Sequence, residues 1–297
     1  MVNAAHADGW VPDWPVPPGV HALCTTRQGG HSVAPYDSLN LGNHVGDDPA
    51  AVLANRQVLQ SALQARTPGA RAIFLSQVHG VDVVDIDLST PAGTEADACA
   101  TTASGVACTI MVADCLPVLF AHRSGAVVAA AHAGWRGLAG EGGWGVLEST
   151  FKRFSALTHG GIAPEAIKNE ATGSDASPQF GTVGALPVAA DTLAWLGPCI
   201  GPQAFEVGAE VRAAFCDADL GAQAFFVPRP DASGKFLCDL AGLARRRLQA
   251  LGITQIYGNN STAPWCTVAN ASTFFSHRRD SVALGGSGRF AACIWRD

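Results

Sequence analysis

Three short segments carry the side chains best suited to chemistry. They are Ser76-Gln77-Val78-His79-Gly80, Ala113-Asp114-Cys115-Leu116-Pro117 and Ala131-His132-Ala133-Gly134-Trp135-Arg136-Gly137. One thiolate (Cys115) and two imidazoles (His79, His132) form a nitrogen–sulfur set suited to Zn²⁺, which favours tetrahedral geometry. Three protein ligands with an open position is the catalytic pattern, whereas a structural site takes four. The separations of 36 and 17 residues match no short zinc-finger spacing. Taken singly, His79 has an ordinary reading as a turn histidine and Cys115 as a small buried residue. The same set also fits thiol chemistry, with Cys115 as a nucleophile of depressed pKa and His132 or His79 as its base. The residues leave both chemistries open.

Arginine is suited to bidentate recognition of phosphate or carboxylate, and the chain has only 19 basic residues. Arg136 lies four residues past His132 between Gly134 and Gly137, where flanking glycines admit a ligand to the backbone. Arg278 and Arg279 follow His277 after an aromatic run expected to be a strand. Leu196-Gly197-Pro198-Cys199-Ile200-Gly201-Pro202 reads as a rigid wall-forming turn with Cys199 inert. No dinucleotide fingerprint, P-loop or nucleophile elbow is present, which removes support for NAD and nucleoside triphosphate chemistry.

Strand ends on a rigid scaffold are where such groups are usually held. Apolar runs of strand length lie at 20–26, 72–75, 82–86, 106–111, 117–121, 126–131, 193–196, 255–258, 272–276 and 291–295. Helices are expected from the Asp47-Asp48-Pro49 cap to about 66, over about 141–157, near 208–219 and over about 239–251. The strands 106–111 and 126–131 are joined by a short connection, which brings Cys115 and His132 together at low topological cost. Residues 1–19 form a Trp- and Pro-rich arm that cannot be helical, and 20–297 reads as one domain. Within it, periodicity collapses over 159–191, as in a surface insertion. Strands and helices are mixed without strict βαβ alternation, so the fold class is α/β or α+β with a mixed sheet.

Composition narrows the class further. Hydrophobic residues make up 48% and charged residues 15%, with a net charge of −6 and 33 glycines. That balance excludes general disorder and a basic nucleic-acid footprint. No apolar run approaches the ~18 residues of a membrane span. The nine cysteines are odd in number and contain no CxxC pair, unlike a secreted disulfide scaffold. The first residues lack the charged and apolar regions of a signal peptide. A cytoplasmic protein with reduced thiols, monomeric or a small homo-oligomer, is expected.

The segments quoted above, together with Phe275-Ser276-His277-Arg278-Arg279-Asp280 and the stretch Pro35-Tyr36-Asp37-Ser38-Leu39-Asn40-Leu41-Gly42 through Asn55-Arg56, resemble the motifs of the YfiH family. Its members have been called polyphenol oxidase (laccase-like), purine nucleoside phosphorylase and peptidoglycan editing factor. The resemblance runs in order over roughly 20–297, with 159–191 as the main departure. It implies mixed sheets sandwiched with helices, shared distantly with cysteine-dependent toxins of the cytotoxic-necrotising-factor kind. It also implies a metal site carried by His79, Cys115 and His132, usually zinc, with copper in the laccase-type description. The implied activities are phosphorolysis of adenosine, inosine and 5′-methylthioadenosine, and deamination of adenosine with water activated at the zinc. Arg136 is then the first candidate to hold phosphate, with Arg56, Arg278 and Gln77 as further substrate-binding candidates. Asp114 is placed to handle a proton or to orient a neighbouring group. An editing hydrolase acting on peptidoglycan precursors through Cys115 is the alternative. Copper oxidase chemistry is disfavoured, because only Met1 and Met111 are available as an axial ligand and the chain has nine histidines.

Overall fold

The computed structural model describes residues 9–160, 187–230 and 234–297. In chain order the elements are β1 Val20–Cys24, α1 Pro49–Gln64, β2 Arg71–Phe74, β3 Val83–Asp85, β4 Ala98–Thr101, β5 Val106–Val112, β6 Leu116–His122 and β7 Val128–Ala133. There follow α2 Trp135–Ala139, α3 Val146–Thr158, α4 Pro187–Ala190, β8 Thr192–Leu196, β9 Glu206–Gly208, α5 Ala209–Cys216, β10 Phe226–Pro228 and β11 Lys235–Cys238. The last four are α6 Leu240–Ala250, β12 Gln255–Gly258, α7 His277–Leu284 and β13 Phe290–Arg296.

Side chains alternate across a strand, and that alternation sorts the core into layers. On β5, Val106, Cys108, Ile110 and Val112 face one way, while Ala107 and Met111 face the other. β5 belongs to a four-stranded sheet of order β1-β13-β5-β2, in which β13 is antiparallel to β1 and β5 while β2 runs parallel to β5. Its outer face buries Leu23, Met111, Cys293 and Trp295 against Leu59, Ala62 and Leu63 of α1. Its inner face packs on Leu119, Ala121, Val128 and Trp195 of a six-stranded sheet, order β12-β8-β6-β7-β4-β3. The far side of that second sheet, with Val118, Phe120 and Ala131, is covered by α3, α5 and α6 through Phe151, Phe154, Phe215 and Leu248. The result is four layers, helix, sheet, sheet and helices, with both sheets buried on both faces. Each fully buried large side chain, Phe120 and Phe154 among them, contributes roughly 1.5–3 kcal/mol. A small sheet, β10-β11-β9, flanks the second helical layer.

Local signals explain most boundaries. Asp48 caps α1 by accepting from the Ala50 N–H (3.1 Å), with Pro49 in the first turn, and Asp239 caps α6 through the Gly242 N–H (2.8 Å). The helix expected from 141 begins at Val146, because Gly140, Gly142 and Gly143 hold positive φ and the Glu141–Trp144 segment closes a turn instead. β4 escaped the sequence pattern: Ala98, Cys99, Ala100 and Thr101 are all buried, so they show no polar alternation. The expected strand at 272–276 does not form. Phe274 and Thr273 donate their N–H groups to the Asn270 carbonyl in a turn, while Phe274 and Phe275 are held by burial between the sheets. His277, Arg278 and Arg279 therefore stand on the first turn of α7, capped by Ser276, and not after a strand.

The described part of the amino-terminal arm is extended. Trp10 exchanges backbone hydrogen bonds with Cys24 (2.9 and 3.0 Å), and Trp14 is buried on the inter-sheet core. Most of the stretch read as an insertion, 161–186, lies outside the described residues, as do 1–8 and 231–233. Among the described residues no helix is long and apolar enough to cross a membrane.

Candidate active site

The two sheets are joined where β5 of the first passes into β6 of the second. The three-residue link, Ala113-Asp114-Cys115, carries the thiol from one layer to the other. Asp114 adopts φ +90°, a conformation unfavourable for a side chain bearing a Cβ. Its carboxylate holds that geometry: Oδ1 accepts from Thr267 Oγ1 (2.5 Å) and Oδ2 from the Arg278 N–H (2.6 Å). The Asp114 carbonyl also accepts from the Ile200 N–H (2.8 Å). Both carboxylate oxygens and the carbonyl of Asp114 are thus engaged in shaping the link.

His79 lies in the loop between β2 of the first sheet and β3 of the second, and His132 lies on β7 of the second. The ligand atoms of His79, Cys115 and His132 lie within 4.8 Å of one another, with Cys115 Sγ 3.7 Å from His79 Nε2. Gly134 makes the cluster possible. A Cβ there would sit 2.9 Å from Cys115 Sγ and 3.0 Å from His79 Cδ2.

A residue that sequence reasoning missed organises the whole group. Asp97, fully buried, accepts from the N–H groups of Val78 (3.2 Å), His79 (2.9 Å) and Gly80 (2.6 Å), and its Oδ1 meets His132 Nδ1 at 2.8 Å. This wraps the His79 turn, with His79 at φ +64°, around one carboxylate. It also turns Nε2 of His132 toward the thiol side. The available signal was a lone aspartate directly before an apolar strand, since a buried carboxylate must find partners.

Charge follows the geometry. Burial pushes the Asp97 carboxyl up, but the His132 hydrogen bond and charge and the Gly80 and His79 N–H groups outweigh it and hold the group low. Burial would raise the Cys115 thiol, yet the charge and hydrogen bond of His132, then those of His79, bring it down to about 6. Burial would lower His132, yet the Cys115 thiolate and Asp97 bring it up to about 9. A thiolate with two imidazoles in a tight cluster, one of them steadied by a carboxylate, is a donor set that fits a metal ion.

The cluster opens into a cavity of about 430 Å³ lined also by His44, Gln77, Met111, Trp135, Phe205, His277, Arg278 and Arg289. The sequence matches the model of the family described as multi-copper polyphenol oxidoreductase laccase over residues 21–172 and 180–297. The Escherichia coli relative named purine nucleoside phosphorylase YfiH is 44% identical over 285 residues, spanning 96% of this chain and 97% of its own. The chain belongs to the YfiH family.

A Pseudomonas aeruginosa YfiH-family protein named purine nucleoside phosphorylase is 46% identical over 290 residues, covering 97% of this chain and 98% of its own. Two solved structures share the fold. The Neisseria meningitidis protein of the DUF152 family aligns with TM-score 0.74 at 39% identity, covering 98% of this chain and 99% of its own. YlmD of Geobacillus stearothermophilus aligns with TM-score 0.71 at 30% identity, covering 98% and 97%.

Within this YfiH-family cleft the residues singled out in the sequence are placed unequally. Arg136 is exposed, stacks over the Trp135 ring (4.4 Å) and does not line the cavity. The glycines beside it serve packing: Gly134 clears Cys115, and a Cβ on Gly137 would meet the Gly80 carbonyl at 2.6 Å. Arg56 also points elsewhere, donating Nε–H to the Leu41 carbonyl (3.0 Å) over the Phe74 ring (4.0 Å). Gln77 does line the cavity, but its amide is committed to the Met111 backbone, donating at 2.8 Å and accepting at 2.9 Å. Arg279 is absorbed by Asp280 and by the carbonyls of Thr267, Val268 and Phe274. Of the arginines singled out in the sequence, Arg278 alone reaches the cavity, where the unanticipated His44 and Arg289 join it. Cys199 is buried, and burial pushes its thiol up.

Proposed function

We propose that the cleft is the active site of a metal-dependent purine nucleoside phosphorylase acting on adenosine, inosine and 5′-methylthioadenosine, which also deaminates adenosine. The observation that carries this reading is the convergence of His79, Cys115 and His132 at the floor of a cavity of about 430 Å³ with aromatic walls. The names of the 44–46% identical relatives support the same substrate class. Trp135 and Phe205, with Ile200, offer an apolar face for a purine ring and keep water from it. His277, whose Nδ1 is engaged by Ser281 Oγ (2.8 Å), has Nε2 left for a ligand.

His79, Cys115 and His132 would hold the metal, with zinc the best match to this donor set. Bound there, it would supply Lewis acidity and make water a stronger acid. The chain's own part is positional: Asp97 keeps the His132 ring and the His79 turn in place, and Asp114 keeps Cys115 at the crossing between sheets. In phosphorolysis a phosphate oxygen bonds to the anomeric ribose carbon as that carbon's bond to the purine nitrogen breaks. The electron pair leaves on the base, and the proton lost by phosphate balances the one gained by the purine. In deamination a water oxygen replaces the purine amino group, and ammonia leaves.

Incubation of the metal-loaded protein with inosine and phosphate should give hypoxanthine and ribose 1-phosphate in equal amounts. Failure to form a ribose 1-phosphate from any purine nucleoside would sink the assignment. The second reading, hydrolysis of a peptidoglycan precursor by Cys115, is favoured by the low pKa of that thiol beside His132. It requires activity that survives metal removal. A blue-copper centre would use a methionine sulfur on its axis. Met111 instead packs with the α1 layer, its sulfur 3.9 Å from Arg56 Nη2.

A further inference from the structure

Two features have no part in the metal cluster: the early motif Pro35–Gly42 with Asn55 and Arg56, and the cavity-lining Arg289. They form one device. Asn55, fully buried on α1, donates to Ser32 Oγ (2.8 Å) and to the carbonyls of Asn40 (2.8 Å) and Ser38 (3.1 Å), and accepts from the His31 N–H (2.7 Å). Asn40, also fully buried, accepts through Oδ1 from the N–H groups of Gly42 (2.9 Å) and Arg289 (2.8 Å). The Leu41 N–H donates to the Arg289 carbonyl (2.9 Å), and Arg56 holds the Leu41 carbonyl. Gly42 leaves the space through which the arginine stem passes: a Cβ there would lie 2.8 Å from Arg289 Cγ and 3.2 Å from its Cβ. The motif therefore aims one side chain.

That side chain is a half-buried guanidinium on the wall of the cavity that holds Cys115. Its Nη1 donates to the carbonyls of Ser287 (2.9 Å) and Gly288 (3.0 Å), and no carboxylate pairs with it among the described residues. Partly buried charges are normally paired. A guanidinium held by neutral carbonyls on one edge keeps the other edge for a bidentate oxyanion. Arg278 lines the same cavity, with one Nη2 bond to the Glu206 carbonyl (3.2 Å). We propose that Arg289 is the phosphate anchor of the cleft, with Asn40 and Gly42 as the positioning residues that aim its guanidinium. This rests on the phosphorolysis reading for its choice of phosphate, but the anion site itself does not.

The test uses the metal-loaded full chain, with Arg289→Met and Arg289→Lys checked by circular dichroism for native folding. Phosphate is varied at fixed inosine and inosine at fixed phosphate, and inorganic phosphate binding is measured separately by calorimetry. Arg289→Met should raise the phosphate KM and the calorimetric Kd together by about tenfold or more, the loss expected for charge-assisted bonds. The inosine KM should stay within about twofold. Arg289→Lys, which keeps the charge without the fork, should fall between. If Arg289→Met does not fold, Arg289→Lys alone decides. Gly42→Ala, which crowds the stem, should raise the phosphate KM without a matching change for inosine. Sulfate should compete with phosphate, and acetate should not, which separates a tetrahedral oxyanion from a substrate carboxylate. Unchanged phosphate KM and Kd in a folded Arg289 variant would overturn the proposal while leaving phosphorolysis standing. Phosphate binding that depends on Arg289, without turnover of any nucleoside, would keep the anion site and remove the phosphorolysis reading. No phosphate binding and no turnover by the unsubstituted protein would remove both.

Discussion

Two hydrogen bonds run from His132 to Asp97: the His132 backbone N–H donates to the Asp97 carbonyl at 2.7 Å, and His132 Nδ1 donates to Asp97 Oδ1 at 2.8 Å. The first is part of the approach of β4 to β7, and the second fixes the imidazole that faces the thiol. Backbone pairing and imidazole orientation are therefore one structure, tied to the six-stranded sheet.

Asp97→Asn tests that coupling. The amide keeps the size but cannot accept from three N–H groups and an imidazole as a carboxylate does. Zinc affinity, read by competition with a chromophoric chelator, should fall by about 10–100-fold. Stability should fall by roughly 3 kcal/mol or more, as expected when a buried pair loses one charge. Unchanged affinity would show that the carboxylate does not orient His132.

Gly134→Ala should abolish metal binding in a folded protein. Gly134 has φ −67°, so alanine is permitted by the backbone, and the cost is confined to the space shared with Cys115 Sγ and His79 Cδ2. The far-ultraviolet spectrum should be retained while stoichiometric zinc uptake is lost. Uptake equal to that of the unsubstituted protein would mean the three donors do not share one ion.

Cys115 should stand out from the other thiols in the metal-free protein. With its pKa lowered to about 6, the thiolate is present above that pH, so iodoacetamide labelling should rise through pH 6 and level off by about pH 7.5. Burial pushes Cys24, Cys108, Cys199, Cys238 and Cys293 the other way, and all are enclosed in the core. Peptide mapping should find the label on Cys115, and zinc should protect it. An inflection at pH 8 or above would contradict the thiolate–imidazolium pair.

Much of this architecture is legible in sequence, for identifiable reasons. Asp48-Pro49 and Asp239 mark their helices because capping is local chemistry, and β5 reads as a strand because seven successive buried residues leave a continuous apolar run. His79, Cys115 and His132 are visible because reactive residues beside Gly and Pro turns are uncommon in core-like surroundings. The missed partners are non-local. Asp97 acts 35 residues from His132, and Arg289 is placed by Asn40 across 249 residues of chain. In the sequence the glycines beside Arg136 read as an opening for a ligand. They are openings for Cys115 and for the Gly80 carbonyl. Phe274 and Phe275 suggested a strand because burial and ladder pairing leave the same apolar mark on a sequence.

The central claim, that His79, Cys115 and His132 act as metal ligands in nucleoside phosphorolysis, is tested most directly by reconstitution. Zinc is titrated into chelator-stripped protein while ribose 1-phosphate formation from inosine is followed by phosphorus NMR. Activity should rise in proportion to occupancy and stop at one equivalent, and Cys115→Ala and His132→Ala should recover none at any zinc concentration. Full activity in the stripped protein, or equal recovery in the two variants, would contradict it.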